Sequence, residues 1–414
     1  MTYVIVGAGP AGVVAAETIC KLDPDGQVVM VGDEPDPPYS RMAIPYLLIN
    51  NIDEQGTYLR KDAEHFGKAI RHVHGFASSV DAEAKTLHLA DGRKIDYEAL
   101  LVATGSKPIL PPVPGIDGER VTTCWTLEDA RKITATLKPG ASVVLIGAGF
   151  IGCIILEALV SSGANLAVVE MGDRMVPRML NETSGELLKK WCQEKGVNVM
   201  TSAQVESIEH HPDKAVVKIS GDRHVDAELV ISAAGVRANA DFLEGAAVEL
   251  KNGAVAVDRH MCSSVPGIYA AGDAACGLDF STGDYSVQAV QPTAVEHGRI
   301  AAANMVKHGS VLHQGCINMN VLDTIGLISV SYGQWQGVEG GDRTSLLDRD
   351  RFRYINLQFD EDTLIGANTL GVTQHIGILR GLIQGQFKLG KWKQRLMQNP
   401  MLIMEAYLAA TQGA

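Results

Sequence analysis

Short apolar runs that end in glycine-rich or small-residue turns recur along the chain, and they predict buried parallel strands. Residues 3–6 and 143–146 are uninterrupted apolar runs followed at once by glycines. Similar runs at 100–103, 229–232 and 268–271 also lead into small residues. Apolar runs without alternation are typical of strands covered by helices on both faces. The pattern therefore predicts α/β domains built on parallel sheets.

Two of these turns carry the same Gly-x-Gly-x-x-Gly spacing. The two strings are Gly7-Ala8-Gly9-Pro10-Ala11-Gly12 and Gly147-Ala148-Gly149-Phe150-Ile151-Gly152. In this motif the first glycine permits a tight turn, the second lets a pyrophosphate approach the backbone, and the third lets helix pack on strand. The pyrophosphate rests on the helix N-terminus, whose free N–H groups favour negative charge. One such string is weak evidence, but two, each after a buried strand, predict two bound dinucleotides that exchange electrons.

A carboxylate follows each string at the distance expected for a ribose contact. The run 27–31 leads to Asp33 and Glu34, and the run 165–169 leads to Glu170. An acid about 20 residues after the glycines accepts from a ribose 2′-hydroxyl. Glu170 would repel the extra phosphate of NADPH, so the sequence predicts a preference for NADH. Arg174 is the nearby cation that would permit some use of NADPH.

Composition and charge narrow the class of protein. The chain has 414 residues, 46% of them apolar and 20% charged, which is typical of a globular protein with two or three domains. Its net charge of −12, with no basic stripe, argues against nucleic acid as a partner. The apolar stretch 143–160 contains the second glycine string and Glu157, which predicts a strand and helix and no membrane span.

The start of the chain and its cysteines predict a cytoplasmic protein. The first strand begins at Thr2, which leaves no room for a signal peptide. Seven cysteines are scattered without a CxxC pair, so we predict neither a metal site, nor an iron–sulfur cluster, nor a disulfide framework. Reduced, mostly buried thiols are the expectation.

Weaker patterns divide the rest of the chain. Residues 77–91 and 210–225 read as hairpins, 184–195 as an amphipathic helix, and the proline cluster 108–115 as a linker. The last hundred residues have no glycine string and are expected to pack, shield or pair. We predict there three strands and two helices, at 318–331, 352–360, 363–371, 377–386 and 391–410.

With Ala103-Thr104-Gly105 and Ala271-Gly272-Asp273 added to the two strings, the chain resembles the FAD/NAD(P)-dependent pyridine nucleotide-disulfide oxidoreductase superfamily over roughly residues 1–305. The resemblance implies an α/β fold. It has two Rossmann-like, three-layer ββα dinucleotide-binding domains, with the NAD domain inserted in the FAD domain, and an α+β C-terminal domain. The implied bounds are 1–114 and 241–314 for the FAD domain, 115–240 for the NAD domain and 315–414 for a C-terminal interface domain.

The resemblance also implies the cofactor-binding residues. For FAD they are Gly7, Gly9, Pro10, Ala11, Gly12, Asp33, Glu34, Arg41, Val80, Ala103, Thr104, Gly105, Gly272, Asp273, Pro292 and Thr293. For NADH they are Gly147, Gly149, Phe150, Ile151, Gly152, Glu170 and Gly235. Asp273 takes the ribityl and phosphate region of FAD, and the helix that begins at Pro292 and Thr293 faces the flavin. The N-terminus of that helix would favour negative charge on the reduced ring.

The chain departs from the thiol-dependent members of the family. Their reactive cysteine follows the first ribose carboxylate, and Met42 stands at that position here. A thioether forms neither a thiolate nor a mixed disulfide, so thiol-based reduction of disulfides or peroxides is not expected. Pro10 also stands where the peroxidases tend to have a histidine.

The chain is closer to another branch. The string 38–41 resembles the Pro-Tyr-x-Arg segment of ferredoxin-, rubredoxin- and nitrite-reductase flavoproteins, which puts Arg41 at FAD. Ferredoxin reductases of the family have a lysine near the flavin that pairs with a glutamate. At the two matching positions this chain has Tyr46 and Ile154, so both charges are absent together.

The favoured function is an FAD-dependent NADH oxidoreductase that passes electrons to an external redox protein or iron–sulfur partner subunit, such as a rubredoxin or ferredoxin. Hydride transfer from NADH to the flavin needs no side-chain acid or base, so no catalytic residue is nominated. An NADH oxidase that uses O2 is the first alternative. A redox-responsive interaction protein that holds FAD and NADH without turnover is the second.

The C-terminal domain is a candidate homodimer interface. Trp335, Trp392 and Tyr407 are its possible anchors, although aromatic residues are more often core. A possible docking patch, or simply a solvated helix face, is formed by Arg380, Lys388, Lys391, Lys393 and Arg395.

Overall fold

The computed structural model describes residues 1–60 and 70–412, and these separate into two compact units. Unit 1 contains Met1–Lys107 and Val236–Cys316, and unit 2 contains Pro108–Gly235 and Ile317–Ala414. The middle of the chain is therefore inserted between the two parts of unit 1, as the sequence predicts. The last segment groups with the inserted segment in unit 2. The finer division into domains at 114, 240 and 314 stays a prediction.

Nine helices occur in the described part of the chain. In chain order they are α1 (Pro10–Leu22), α2 (Ile44–Leu48), α3 (Leu127–Thr136), α4 (Phe150–Ser161), α5 (Glu182–Glu194), α6 (Gln291–Val306), α7 (Ile376–Gly385), α8 (Lys391–Gln398) and α9 (Ile403–Gln412).

The core of unit 1 is a five-stranded parallel sheet with buried strands. Its strands, numbered along the chain, are β1 (Thr2–Val6), β2 (Gln27–Gly32), β3 (Ile70–His74), β7 (Ala99–Val102) and β20 (Ile268–Ala270). They lie in the order β20-β7-β1-β2-β3. In the centre Val4 is paired with both Val29 and Leu100. Helices α1 and α6 pack together so closely that a Cβ added at Gly298 would lie 2.4 Å from the carbonyl oxygen of Ala11.

Unit 2 repeats this arrangement. Its parallel sheet contains β9 (Val121–Thr122), β10 (Ser142–Ile146), β11 (Asn165–Val169), β12 (Asn198–Met200) and β16 (Leu229–Ser232), in the order β12-β11-β10-β16-β9. The stretch 143–160 is thus a strand followed by α4, as predicted. Among the described residues, no helix has the length and apolar character that crossing a bilayer requires.

In each unit an antiparallel three-stranded sheet comes just before a strand of the parallel sheet. That strand is β7, which pairs with β1, in unit 1, and β16, which pairs with β10, in unit 2. In unit 1 the antiparallel sheet is β4 (Ala77–Asp81), β5 (Thr86–Leu89) and β6 (Lys94–Asp96), and in unit 2 it is β13 (Val205–His210), β14 (Ala215–Ile219) and β15 (Arg223–Ala227). Both predicted hairpins are confirmed, each with one further strand. Along the chain, both units thus have the order strand, helix, strand, three-stranded antiparallel sheet and a further parallel strand. This order gives each unit a three-layered dinucleotide-binding part.

Short strands complete unit 1. They are β8 (Ser106–Pro108, at its boundary), β17 (Val236–Ala238), β18 (Leu250–Lys251), β19 (Ala254–Ala256), β21 (Ala275–Leu278) and β22 (Tyr285–Ser286).

The C-terminal part of unit 2 is an antiparallel sheet covered by α7, α8 and α9. Its strands are β23 (Met319–Thr324), β24 (Leu327–Gly333), β25 (Asp342–Asp348), β26 (Arg353–Asp360) and β27 (Thr363–Leu370), in the order β23-β24-β27-β26-β25. Leu357, Leu379, Leu396 and Ile403 share one buried apolar cluster that joins the sheet to all three helices.

Three sequence predictions in this part are wrong. The single strand expected at 318–331 is the hairpin of β23 and β24, which turns through Ile325 and Gly326, both with positive φ. The helix expected at 391–410 is broken between α8 and α9, because Pro400 lacks the N–H that a continuous helix needs. Strand β25 was not predicted, since its residues are mostly polar and exposed.

The possible C-terminal interface anchors belong to the fold of unit 2. Trp335 is buried, and Trp392 and Tyr407 pack against the C-terminal core. The basic residues are partly neutralised: Lys393 lies 2.7 Å from Asp342, and Lys388 lies 3.6 Å from Glu361. The first observation favours the interpretation of the three aromatic residues as core. The second favours the interpretation of the basic residues as a solvated helix face.

Candidate functional site

The first glycine string forms a tight turn between β1 and α1. Gly7 has a φ of +112°, and a Cβ there would lie 2.1 Å from the carbonyl oxygen of Ala103, directly after the neighbouring strand. A Cβ at Gly12 would lie 2.0 Å from the carbonyl oxygen of Gly7. A Cβ at Gly9, by contrast, would meet no described atom within 4 Å. Two glycines are therefore required by packing, and the second one faces open space.

The second string has the same geometry. A Cβ at Gly147 would lie 2.6 Å from the carbonyl oxygen of Ala233, and one at Gly152 would lie 2.3 Å from that of Gly147. A Cβ at Gly149 would again meet no described atom within 4 Å. Phe150 and Ile151 begin α4 and are half-buried, like Pro10 in the first string, whereas Ala11 is buried.

Both turns leave a helix N-terminus open to a ligand. The N-caps of α1 and α4 are Gly9 and Gly149, and neither helix has a side-chain cap hydrogen bond. Helices α3 and α5 are capped, by Thr126 and Asn181. Uncapped N–H groups next to an open glycine are the donors that a pyrophosphate site requires.

The two predicted ribose carboxylates are held in place by neighbouring groups. Glu34 accepts from the hydroxyl of Tyr39 and forms an ion pair with Arg41, at 2.5 Å. Glu170 accepts from the backbone N–H groups of Ala148 and Gly172, both at 2.6 Å. Glu170 is thus fixed beside its glycine turn by Ala148, whereas Glu34 is fixed by residues that follow it in the chain. Asp33 is exposed.

Arg174 is already engaged near Glu170. Its Nη1 donates to both carboxylate oxygens of Asp173, at 2.7 and 3.0 Å, and its Nε donates to the carbonyl oxygen of Leu180 at 3.0 Å. Binding a 2′-phosphate would compete with these contacts, which supports the expected preference for NADH.

Asp273 lies in the turn after β20, beside Ser106. The Ser106 hydroxyl donates to its carboxylate at 2.7 Å. Burial raises the pKa of Asp273, and the hydrogen bond from Ser106 and the charge of Arg41 partly offset this effect. Gly272, with a φ of +68°, lets the turn approach Ala294 on α6 and Ala11 on α1. Arg41 is therefore placed between two predicted FAD carboxylates.

The remaining predicted residues lie in turns or in the core. The Thr104 hydroxyl donates to the backbone carbonyl of Asn239 at 2.6 Å. The next residue, Gly105, has a positive φ, and a Cβ there would meet no described atom within 4 Å. Gly235 has the same open, positive-φ conformation. Val80 is in the hydrophobic core of unit 1, so its side chain faces other apolar residues.

The start of α6 also contains predicted residues. Pro292 is exposed and Thr293 is buried. Gln291, the first residue of the helix, accepts from the Ser40 hydroxyl at 2.5 Å. Ser40 and Ser106 are not predicted from the sequence, because a single serine carries no distinguishing pattern, whereas Tyr39 belongs to the string 38–41 that points to Arg41.

Two of the residues at which the chain departs from the family pattern are exposed, whereas Pro10 and Ile154 are half-buried. Met42 and Tyr46 expose 43% and 56% of their surface. All seven cysteines are free thiols, and five of them are buried.

Comparisons with known proteins agree with this geometry. A family model described as pyridine nucleotide-disulphide oxidoreductase matches residues 1–301. The epsilon subunit of an NADH-dependent phenylglyoxylate dehydrogenase from Aromatoleum evansii is 28% identical over 414 residues, which span 99% of this chain and 97% of the relative. An NADH oxidase from Methanocaldococcus jannaschii is 30% identical, over 74% of this chain and 70% of the relative.

A solved structure shows the same fold along almost the whole chain. The structure of putidaredoxin reductase in a covalent complex with putidaredoxin has a TM-score of 0.90 and covers 99% of both chains, at 22% identity. The likeness includes the C-terminal sheet and helices, which lie beyond the residues that the family model matches.

Proposed function

The chain belongs to the pyridine nucleotide-disulphide oxidoreductase family, and from this premise we propose that it passes electrons from NADH through FAD to a separate redox protein or iron–sulfur partner subunit. It is an NADH-dependent flavoprotein oxidoreductase. The observation that carries the proposal is the pair of uncapped, open glycine turns, one in each unit.

The turn of unit 1 is proposed to hold FAD. Gly9 and the N-terminus of α1 receive the pyrophosphate, and Glu34 accepts from the ribose. Asp273, oriented by Ser106, takes the ribityl and phosphate region. When bound, FAD supplies the redox chemistry, because it accepts electrons from NADH and passes them on.

The turn of unit 2 is proposed to hold NADH. Gly149 and the N-terminus of α4 receive its pyrophosphate, and Glu170, fixed by two backbone N–H groups, accepts from the ribose hydroxyl. The role of these residues is to bind and orient the two cofactors, since alignment is what the transfer requires of the protein.

The proposed acceptor is another protein because the chain offers no thiol at the family's reactive position. Residues 35–60 contain no cysteine, and Met42 stands where the reactive cysteine would be. The full-length likeness to an enzyme subunit, which extends through the C-terminal domain, favours a partner subunit.

A second candidate function is an NADH oxidase, which the relative from Methanocaldococcus jannaschii favours. Stopped-flow reoxidation of the NADH-reduced enzyme separates the two functions. We expect reduced ferredoxin-type or rubredoxin-type carriers to appear much faster than O2 is consumed. Reoxidation by air at the full turnover rate, with carriers adding nothing, would replace the proposal by the oxidase.

The cofactor assignment is tested by a matched pair of substitutions. Gly9→Ala and Gly149→Ala each place a methyl group where the protein itself leaves open space. We expect both variants to fold, because nothing lies within contact distance of the added group. Gly9→Ala should lower the FAD content of the purified protein, whereas Gly149→Ala should keep FAD and raise the KM for NADH. The reverse pattern would exchange the two sites, and no change in either quantity would remove both.

A further inference from the structure

Two histidines and a cysteine meet in the interior of unit 1. The Sγ of Cys316 lies 3.3 Å from Nε2 of His313 and 3.9 Å from Nε2 of His297. The two imidazole rings are perpendicular, with centroids 4.7 Å apart. One ligand atom from each residue lies within 4.8 Å of the others. These three residues, the His297 cluster, have no place in the cofactor sites described above.

The His297 cluster is buried and incompletely hydrogen-bonded. The exposed surface is 3% for His297, 0% for His313 and 7% for Cys316. Nδ1 of both histidines has no hydrogen-bond partner among the described residues. The two Nε2 atoms, on the other side of each ring, approach a single sulfur, which is a weak hydrogen-bond partner.

The distances suit a tetrahedral metal ion. Zinc binds thiolate sulfur at about 2.3 Å and imidazole nitrogen at about 2.0–2.1 Å, which places sulfur and nitrogen ligands roughly 3.6 Å apart. The two Sγ–Nε2 distances, 3.3 and 3.9 Å, lie on either side of this value. A carboxylate oxygen of Glu296 lies 3.8 Å from Sγ and accepts from the thiol.

The ligands are carried by rigid parts of the fold. His297 lies on α6, and Cys316 is bridged to Asp279 in a backbone pairing. The backbone of His313 is clamped by Arg259, which accepts from its N–H at 2.7 Å and donates to its carbonyl oxygen at 2.9 Å. Ligands fixed before the metal arrives lose little freedom when it binds.

We propose that His297, His313 and Cys316 form a zinc site. Zinc accepts lone pairs from the two Nε2 atoms and from the Cys316 sulfur, whose proton leaves to solvent. The thiolate then offsets one of the two positive charges of the ion. Imidazole and thiolate together favour zinc over magnesium or calcium, which prefer oxygen.

The site would tie the end of unit 1 to α6. Residues 313–316 follow that helix in the chain, and the side chain of Thr293, in its first turn, is hydrogen-bonded to Cys316. Zinc in this position is structural, because it fixes the helix whose first residues are among the proposed FAD contacts.

Metal content of the FAD-loaded full chain tests the proposal. The protein is purified from zinc-supplemented cells, dialysed against a weak chelator and analysed by plasma mass spectrometry. We expect about one Zn²⁺ per chain, and a zinc-edge X-ray absorption spectrum with one sulfur and at least two nitrogen ligands. This spectrum is measured on the unaltered protein and needs no variant to fold.

Variants then assign the ligands. Cys316→Ala and His297→Gln should each lower the retained zinc at least tenfold at the same FAD content. The matched control is Cys262→Ser, because Cys262 also lies beside a histidine, with Sγ 3.6 Å from Nδ1 of His308, but is only half-buried. The control should retain its zinc. A protein without zinc, one that holds copper or iron instead, a spectrum without a sulfur ligand, or equal zinc retention in the three variants would overturn the proposal.

Discussion

Carboxylates decide most of the chemistry at the scale of single residues, and their partners differ in kind. Glu170 is held by two backbone N–H groups, Glu34 by Arg41 and Tyr39, and Asp273 by the hydroxyl of Ser106. The backbone N–H groups that hold Glu170 carry no formal charge, so they do not neutralise the charge that its carboxylate presents to a ligand. Glu170 is therefore the residue at which charge should decide between NADH and NADPH.

Replacing Glu170 by glutamine tests this point. Glu170→Gln removes the negative charge and keeps one oxygen for the backbone contacts. Since repulsion of a 2′-phosphate is worth several kcal/mol and each 1.4 kcal/mol is about tenfold, we expect the ratio of kcat/KM for NADH over NADPH to fall at least about tenfold. Glu186→Gln, at an exposed position on α5, is the control for lost charge. An unchanged ratio in Glu170→Gln would remove Glu170 from the ribose site.

Asp273 should oppose folding when FAD is absent. Because burial raises its pKa, the folded protein binds this proton more tightly than the unfolded chain does. Proton binding to Asp273 therefore favours the folded state. This contribution to the free energy of unfolding is fully present below the ordinary aspartate pKa of about 4, and it is lost as the pH rises through the raised pKa of the folded protein. In flavin-free protein, Asp273→Asn should therefore raise the Tm at neutral pH, and this gain should shrink as the pH falls.

The same substitution should weaken retention of FAD, because the proposed ribityl contact loses its charge. The measurements are thermal unfolding between about pH 4 and 8 and the FAD content after dialysis. Asp284→Asn, at an exposed position, serves as the control. A lower Tm for Asp273→Asn at neutral pH would contradict the argument.

At the scale of elements, the contact between α1 and α6 organises the proposed FAD site. Both helices begin at predicted cofactor residues, and Gly298 brings their backbones together. The elements around this contact are readable from the sequence, since buried strands and glycine turns follow short local rules. In the C-terminal part the sequence does contain the signal for one break, Pro400, whereas the signals at Ile325 and along the polar strand β25 are weak.

Gly298→Ala tests the helix contact. The new Cβ would lie 2.4 Å from the carbonyl oxygen of Ala11, which is backbone and cannot rotate away. Overpacking costs about 1–3 kcal/mol and should exceed the gain of up to about 1 kcal/mol from helix propensity. We expect a lower free energy of unfolding in urea and a lower FAD content.

The control for Gly298→Ala is Gly377→Ala on α7. A Cβ at Gly377 would meet no described atom within 4 Å, so only the propensity gain remains. Equal stability of the two variants would mean that the helix contact is not tight.

At the scale of the whole molecule, the C-terminal segment is part of the fold that carries the proposed NADH site. Within unit 2, Asn368 on β27 is fully buried, and its Nδ2 donates to the carbonyl oxygens of Met179 and Val330. Its Oδ1 accepts from the Ser184 hydroxyl at 2.7 Å. One amide thus connects the sheet to the segment that follows Glu170, a connection between residues more than 180 positions apart.

Asn368→Ala would remove all three hydrogen bonds, although the Ser184 hydroxyl could still donate to Asn181 at 2.9 Å. Since leaving a buried group unpaired costs about 1–3 kcal/mol, we expect the free energy of unfolding of unit 2 to fall by at least about 1 kcal/mol. The KM for NADH should rise, and amide exchange should become faster in α5. The adjacent Thr369→Val is the control: its hydroxyl is buried with no partner among the described residues, so its removal should be neutral or stabilising. Similar losses in both variants would rule out a specific role for Asn368.

The sequence by itself determined the two glycine turns, their strands, their carboxylates and the family, because each rests on residues a few positions apart under fixed backbone geometry. Only the tertiary structure decided the partners of Asp273 and Asn368, and only it brought His297 to Cys316. These contacts join residues that different turns, helices and strands carry, so their distances depend on how whole elements pack. No local spacing rule encodes that packing.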